Sequence, residues 1–293
     1  MTVTTTYALP IPGVTVTIDR RAVRISSREA LAVLSSAVVG GGRADVGEIV
    51  NLHVSDAYDD PQPEADLRAA AVSLGCDGQF VGLMTAAHTE YARVACEARA
   101  GVTVAAIVSV GLSNTTCAGV TPPIGGDVTS PVGGGVTGAI GGGVTAAIGG
   151  GVTAAIGGGD TGGVIQANAA AGAAAAQRGP SGAADRPLPG TINVILVIDA
   201  ALSPAAMVNA VISATEAKTM MLAEWHVLTP EGEPASGTST DAVVVACTGR
   251  GAGHDYAGPA TAVGWLIGRT VRAAIAQICS DKIARDGGRR SGW

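Results

Sequence analysis

Aromatic side chains are scarce: the chain has 3 Trp, 4 Tyr and 1 Phe in 293 residues. Lysine occurs only at Lys218 and Lys282, which excludes a lysine-rich membrane-surface helix. Charged residues make up 14% of the chain and the net charge is −6. A nucleic-acid partner would need a basic stripe to release counterions, so none is expected. No CxxC occurs among Cys76, Cys96, Cys117, Cys247 and Cys279. An odd number at wide spacing reads as free thiols in a reducing, cytoplasmic compartment, not as a disulfide framework or zinc site. The opening MTVTTTYALPIPG lacks a basic stretch followed by an apolar one, so no signal peptide is expected. The uncharged stretch 128–159 has no Leu and no aromatic, and it reads as low complexity rather than a membrane span.

Nucleotide motifs are also missing. Gly249-Arg250-Gly251-Ala252-Gly253 follows a strand-like run but lacks the GxGxxG spacing. EAKT at 216–219 ends like a P-loop, without a glycine four residues before the lysine. His53, His88, His226 and His254 show neither HExxH nor HxxH spacing, and they read as structural histidines rather than metal ligands.

What is abundant is glycine, with 43 residues. GGGVTGAI at 133–140 is followed by GGGVTAAI at 141–148 and again at 149–156. A period of eight is too short for a solenoid repeat, which needs about 20 residues or more to bury its own face. Residues 121–187 hold 20 of the glycines and five charged residues, between TPP at 121–123 and RPLPG at 186–190. This segment is expected to be a flexible Gly/Ala/Thr-rich insertion, with a packed glycine-rich layer as the alternative.

Two ordered halves remain, 14–120 and 188–285, in one domain. The runs 14–19 and 21–26 read as a hairpin, and 31–38 as an apolar run before a GGG turn. A short strand is expected at 50–54, a helix at 63–75, and strands at 81–87 and 103–113. In the second half, TINVILVIDA at 191–200 reads as a buried strand. Ser203 caps a long helix with Pro204 in its first turn, DAVVVACT at 241–248 is a second buried strand, and 260–279 forms the last helix. The fold class expected is α/β in the α+β sense. It is a layered sandwich of apolar sheets covered by helices, of which an αββα arrangement is one form.

Three local patterns carry candidate chemistry. Gly190-Thr191 delivers a hydroxyl residue to the head of an apolar strand, though a strand-capping Thr is the plainer reading of the local sequence. GTSTD at 237–241 sets hydroxyls before Asp241 at a strand start, and is also a normal turn composition. Asn114, in GLSNTT, ends a strand-like run.

Taken together, LSSAVVGGG (34–42), IVNLHV (49–54), VGLMTAA (81–87), VSVGLSN (108–114), PGTINVILVIDAALSPAAMVNAVISATEAKT (189–219), GTSTDAVVVAC (237–247) and YAGPATAVGWLIGRTV (256–271) resemble the adenosylcobinamide amidohydrolases of the CbiZ type. The resemblance covers nearly all of both halves. It departs at the insertion, and at Thr115-Thr116-Cys117-Ala118-Gly119-Val120, which lacks the Arg and Asp of the Arg-Ala-Gly-Asp-like stretch the family often carries there. It implies hydrolysis of the amide joining aminopropanol to the corrin propionate of adenosylcobinamide, giving adenosylcobyric acid for coenzyme B12 salvage. A corrinoid is then the small-molecule partner. No membrane, protein metal or further cofactor is implied, the cobalt arriving inside the substrate. A homo-oligomer is compatible with the sequence. Ser35, Ser36, Met84, Thr85 and Glu216 are candidates for binding the substrate.

PGTINVILVIDAALSP also resembles the self-cleaving region of the aminopeptidase/esterase and ornithine acetyltransferase family. That likeness implies cleavage at Gly190-Thr191, with Thr191 becoming an N-terminal nucleophile. Asn114 would be the oxyanion donor, and Asp241, through Ser239, would orient the amine or relay a proton. VIQAN at 164–168 is a competing match to the Asn114 strand. Three alternatives stay open: a corrinoid-binding protein without catalysis, an N-terminal-nucleophile amidase with another substrate, and direct attack by water with Glu216 or Asp199 as base.

Overall fold

The computed structural model describes residues 4–76, 78–122, 138–140, 144–146 and 190–287. The chain divides into two units, 1–121 with 188–293, and 122–187. The expected flexible character of 121–187 and the VIQAN match lie largely or wholly outside the described residues.

The first unit begins with β1 (Thr5–Ala8), β2 (Val14–Ile18), β3 (Ala22–Ser35), β4 (Gly42–His53), α1 (Pro63–Ser73), β5 (Phe80–Thr85), β6 (Arg93–Arg99), β7 (Val102–Val110) and β8 (Thr115–Thr116). In the second unit, β9 (Gly138–Ile140) and β10 (Val144–Ala146) pair antiparallel. The first unit resumes with β11 (Ile192–Asp199), β12 (Ala201–Leu202), α2 (Pro204–Glu224), β13 (Gly237–Thr238), β14 (Ala242–Cys247), β15 (Gly253–His254) and α3 (Ala262–Arg285).

Nine of these strands make one sheet in the order β1-β2-β3-β14-β11-β7-β6, with β4 on β3 and β5 on β4. The long β3 belongs to two layers. Its first half pairs with β2 through Val23–Ser27 and its second half with β14 through Ala32–Ser35. Its register with β4 shifts between Ser26 and Leu31. An irregularity at that point bends the strand, so the sheet curls over itself. The inner space is filled by Ile25, Ile49, Val81, Ile107, Ile195 and Val244 among others, all at most 1% exposed. Helices α2 and α3 cover the β7–β11–β14 side, and α1 covers β4 and β5 with Leu67 and Ala71. The result is the expected α+β sandwich in αββα layers, its two β layers being one continuous sheet.

Period-two patterning explains β11. Ile192, Val194, Leu196 and Ile198 face the helices, while Ile195 and Val197 enter the inter-layer core. Buried on both faces, β11 lies antiparallel to β7 and parallel to β14. Ser203 caps α2, accepting from the Ala206 N–H at 3.2 Å, and Thr261 caps α3 in the same way from Gly264 at 3.0 Å. Two elements differ from expectation. β4 spans twelve residues rather than 50–54, and β6 was not anticipated. β6 is a sheet-edge strand whose residues are all at least partly exposed, so it lacks a buried apolar run.

Candidate active site

The head of β11 gathers the candidate residues. β8 and β13 pair antiparallel, Thr115 opposite Thr238 and Thr116 opposite Gly237. Asn114 precedes the first strand and Ser239 follows the second, so the pairing sets them face to face. Asn114 Nδ2 donates to Ser239 Oγ at 2.7 Å. The Thr115-Thr116 pair, standing where the resembled family often has other residues, is what forms β8.

Thr191 is 6% exposed and its Oγ1 lies 2.7 Å from Oγ1 of Thr240. Thr240 in turn donates to the carbonyl oxygen of Gly190 at 2.9 Å. Gly190 has no room for a side chain. A Cβ there would lie 2.5 Å from Asn114 Oδ1 and 2.8 Å from both Ser113 N and Ser113 Oγ. Asn114 Oδ1 is buried and makes no hydrogen bond.

Asp241 is held from three sides. Its carboxylate accepts the Ile192 N–H at 3.0 Å, the Thr238 hydroxyl, and the ammonium of Lys218. Asp241 therefore fixes the backbone one residue after Thr191 directly, and Ser239 turns to Asn114 instead. Lys218 was not among the expected site residues, although it is 7% exposed and is one of two lysines. Its signal in the sequence was a charge on the apolar face of α2, between buried Ala217 and Met221. A Cβ on Gly237 would come within 2.6 Å of Lys218 Nζ and would overlap Asp241 Oδ2. The first glycine of GTSTD thus leaves the space the ion pair occupies.

Beneath Thr191, a buried amide network crosses the inter-layer core. Asn193 Nδ2 donates to Asn51 Oδ1 at 2.8 Å and to the Met84 carbonyl at 3.0 Å. Asn51 Nδ2 donates to Ser109 Oγ at 2.9 Å. Asn193 Oδ1 is buried without a partner. Asn51 and Asn193 were missed as well. Each was visible as a polar residue inside an apolar run, in VNLHV and TINVILVIDA.

A cavity of about 480 Å³ opens beside this cluster. Gly111, Leu112 and Ser113 form one wall, and His88, Tyr91 and Lys282 stand on another. Gly111 donates its N–H to the Thr191 carbonyl at 3.0 Å, so this wall is continuous with the strand head. Its size falls within the range of ordinary small-molecule pockets.

The expected binding residues are dispersed. Thr85 is 1% exposed and its hydroxyl accepts from Ala87 N at 3.0 Å, while its neighbours Ala86 and Ala87 line the cavity. Met84 packs against the α1 core and contributes its carbonyl to Asn193. Ser35 and Ser36 line a separate, smaller apolar cavity of about 250 Å³ with Val208, Val211 and Val243. Glu216 is exposed on α2. At about 100° per residue it points some 200° away from Lys218, and so away from Asp241. Asp199 ends β11 at the far side, bonded to Thr248 Oγ1 at 2.8 Å and Arg250 Nε at 2.9 Å. Eight residues of strand, about 26 Å, separate it from Thr191. Among the described residues, no group of three His, Cys, Asp or Glu is placed to hold a metal ion. No helix among them is long and apolar enough to cross a membrane. None of the five cysteines is in a disulfide.

A curled αββα sandwich with a hydroxyl, a carboxylate and an ammonium gathered at the head of its central strand defines the class of protein. Within that class, the chain belongs to the adenosylcobinamide amidohydrolase family, whose model matches residues 11–134 and 135–286. It is similar to an adenosylcobinamide amidohydrolase of Halobacterium salinarum, 42% identical over 92 residues, 31% of this chain and 37% of the relative. It is also similar to one of Methanosarcina mazei, 27% identical over 208 residues, 71% of this chain and 66% of the relative. An uncharacterized protein of Methanocaldococcus jannaschii is 41% identical over 99 residues, 32% of this chain and 38% of that protein. The chain thus spans between about a third and two thirds of the length of these relatives.

Proposed function

We propose that this protein hydrolyses the amide between aminopropanol and the corrin propionate of adenosylcobinamide, releasing adenosylcobyric acid for corrinoid salvage. Family membership supports the amidohydrolase chemistry, and the names of the two relatives support the substrate. Cysteines outside any disulfide fit action in the cytoplasm.

The observation that carries the mechanism is the setting of Thr191. Its hydroxyl lies at the head of a rigid strand, beside a glycine that can bear no Cβ and next to a cavity. We assign it as the nucleophile, freed as an N-terminal residue by cleavage at Gly190-Thr191. The new α-amine, whose ordinary pKa is about 8, is then a base adjoining the hydroxyl. Thr191 Oγ1 attacks the amide carbon and its proton passes to the amine. Asn114 Nδ2 donates to the developing oxyanion. The tetrahedral adduct expels aminopropanol, which takes the proton, and leaves an ester on Thr191. Water hydrolyses the ester and restores the hydroxyl. Asp241 holds the strand head through Ile192 N, and Ser239 orients Asn114. The cavity between Ser113 and Tyr91 takes the arm of the corrinoid that carries the amide.

The test is turnover of adenosylcobinamide by the purified protein, read by chromatography and mass, alongside its intact mass under denaturing conditions. Release of aminopropanol by a two-chain protein whose smaller chain begins Thr-Ile-Asn-Val is expected. Thr191→Ala should stay one chain and be inactive, and Thr191→Ser should keep both cleavage and activity in part. Absence of turnover would leave a corrinoid-binding protein. Full activity in an uncut chain would replace Thr191 by direct attack of water.

A further inference from the structure

We propose that Thr240 is a catalytic residue of the self-cleavage, passing a proton from the Thr191 hydroxyl to the carbonyl oxygen of Gly190. The proposal rests on the reading of Thr191 as an N-terminal nucleophile and goes beyond it, because the roles given to GTSTD involved Ser239 and Asp241 alone.

Hydrogen-bond inventory fixes the direction of the chain. A threonine hydroxyl has one proton and two lone pairs, and a carbonyl oxygen has lone pairs only. The 2.9 Å contact between Thr240 Oγ1 and Gly190 O therefore uses the Thr240 proton. The 2.7 Å contact between the two hydroxyls must then be filled by the proton of Thr191. Thr191 donates to Thr240, which donates to the carbonyl of the peptide bond that Thr191 would attack. Among the described residues, Thr240 is the one side chain bonded to both reacting groups. The bonds of Ser239 and Asp241 go elsewhere, to Asn114 and to Ile192 N, Thr238 and Lys218.

The step balances without an external base. As the bond from Thr191 Oγ1 to the Gly190 carbonyl carbon forms, the carbonyl π pair moves onto oxygen. Thr240 gives that oxygen its proton and takes the proton of Thr191. The adduct is a neutral hydroxyl species, and no oxyanion is left in the half-buried site, where an unpaired charge is costly. Collapse restores the carbonyl and breaks the carbon–nitrogen bond. The electron pair and the hydroxyl proton go to the Thr191 nitrogen, giving an ester and an amine. Water then cleaves the ester to the Gly190 acid and the free hydroxyl. After the cut Thr240 is released from Gly190, and in substrate hydrolysis the new α-amine takes over as the acceptor of the Thr191 proton.

Full-length chains carrying Thr240→Val or Thr240→Ser test this, with cut and uncut protein followed by denaturing mass and folding checked by thermal melting. The valine variant keeps the branched shape and loses the hydroxyl; the serine variant keeps the hydroxyl. Cleavage slowed at least about a hundredfold in the valine variant and retained in the serine variant is expected, the usual scale for losing a positioned proton carrier. A valine variant that cuts as fast as the wild type overturns the role of Thr240 and leaves Thr191 untouched. A wild-type chain that never cuts overturns the nucleophile reading, and this inference with it. Should the valine variant fail to fold, the wild-type rate in D2O decides. Two protons in flight must slow the cut, and an unchanged rate overturns the relay.

Discussion

Lys218 reaches from the buried face of α2 to the carboxylate of Asp241, and 8% and 16% of the two side chains are exposed. Removing one member of such a pair strands the other charge out of water. Lys218→Met is expected to cost about 3–5 kcal/mol of stability in denaturant titration. Adding Asp241→Asn should restore part of that loss, because neither charge then stands alone. A double variant that loses as much as the two single variants added together would show that the pair is not coupled.

Asp241→Asn alone should harm both stability and activity. The amide keeps one oxygen for Ile192 N and Thr238, but its NH2 would face the Lys218 ammonium. Turnover is expected to fall by about tenfold to a thousandfold. Steady-state rates on adenosylcobinamide check this, and wild-type turnover would remove Asp241 from the mechanism.

Gly190→Ala should be poorly tolerated. The added methyl meets Asn114 Oδ1 and Ser113 together, and strand pairing on both sides of β11 prevents the backbone from retreating. A cost of about 1–3 kcal/mol is expected, with slower cleavage at 190–191. A melting curve and a denaturing gel matching the wild type would contradict the close packing at this position.

Replacing 124–184 by a short Gly/Ser linker should leave a folded chain with activity. The β7–β11 register, Val110 opposite Ile192, is made by residues outside that segment. Loop-closure entropy also changes slowly with length. Insoluble protein, or loss of more than about 90% of activity, would assign the segment a structural part.

Burial pushes the thiols of Cys247 and Cys279 up to about 12 from the ordinary 9.0, Lys282 opposing the rise slightly at Cys279. The neutral thiol is thus favoured in the folded chain. The stability this linkage provides is full below about pH 9 and is lost as pH rises toward 12. Denaturant midpoints should fall across that window, and less steeply in Cys247→Ala. At pH 8 these two thiols should resist a thiol reagent until the protein is unfolded.

Much of the fold was legible because its strands are buried on one or both faces. TINVILVIDA and DAVVVACT could be little else, and Ser203-Pro204 marked a helix start. β6 was not legible, since an exposed edge strand carries no apolar pattern. At the site, Asn114, Thr191, Ser239 and Asp241 were legible as candidates, and the structure brings all four to one strand head. Lys218 was hidden because it lies 23 residues before its partner, on a helix read for its apolar spacing. Thr240 was hidden because its role depends on a backbone carbonyl, which no side-chain pattern encodes. Glu216 had the right residue type on the wrong face of α2.

The strand order also decides what a cut at Gly190 would do mechanically. β14 and β11 come after the cut and lie between β3 and β7, which come before it. The two products would be interleaved like the fingers of clasped hands, joined by four register pairs on one edge and eight on the other. Neither could leave without tearing both ladders, so separation would amount to complete unfolding. A free 191–293 chain would expose two bare strand edges and invite aggregation. Folding would therefore have to finish before such a cut, and the cut would be a ratchet: a two-chain form would hold as long as it stayed folded, and once melted it would have no covalent route back.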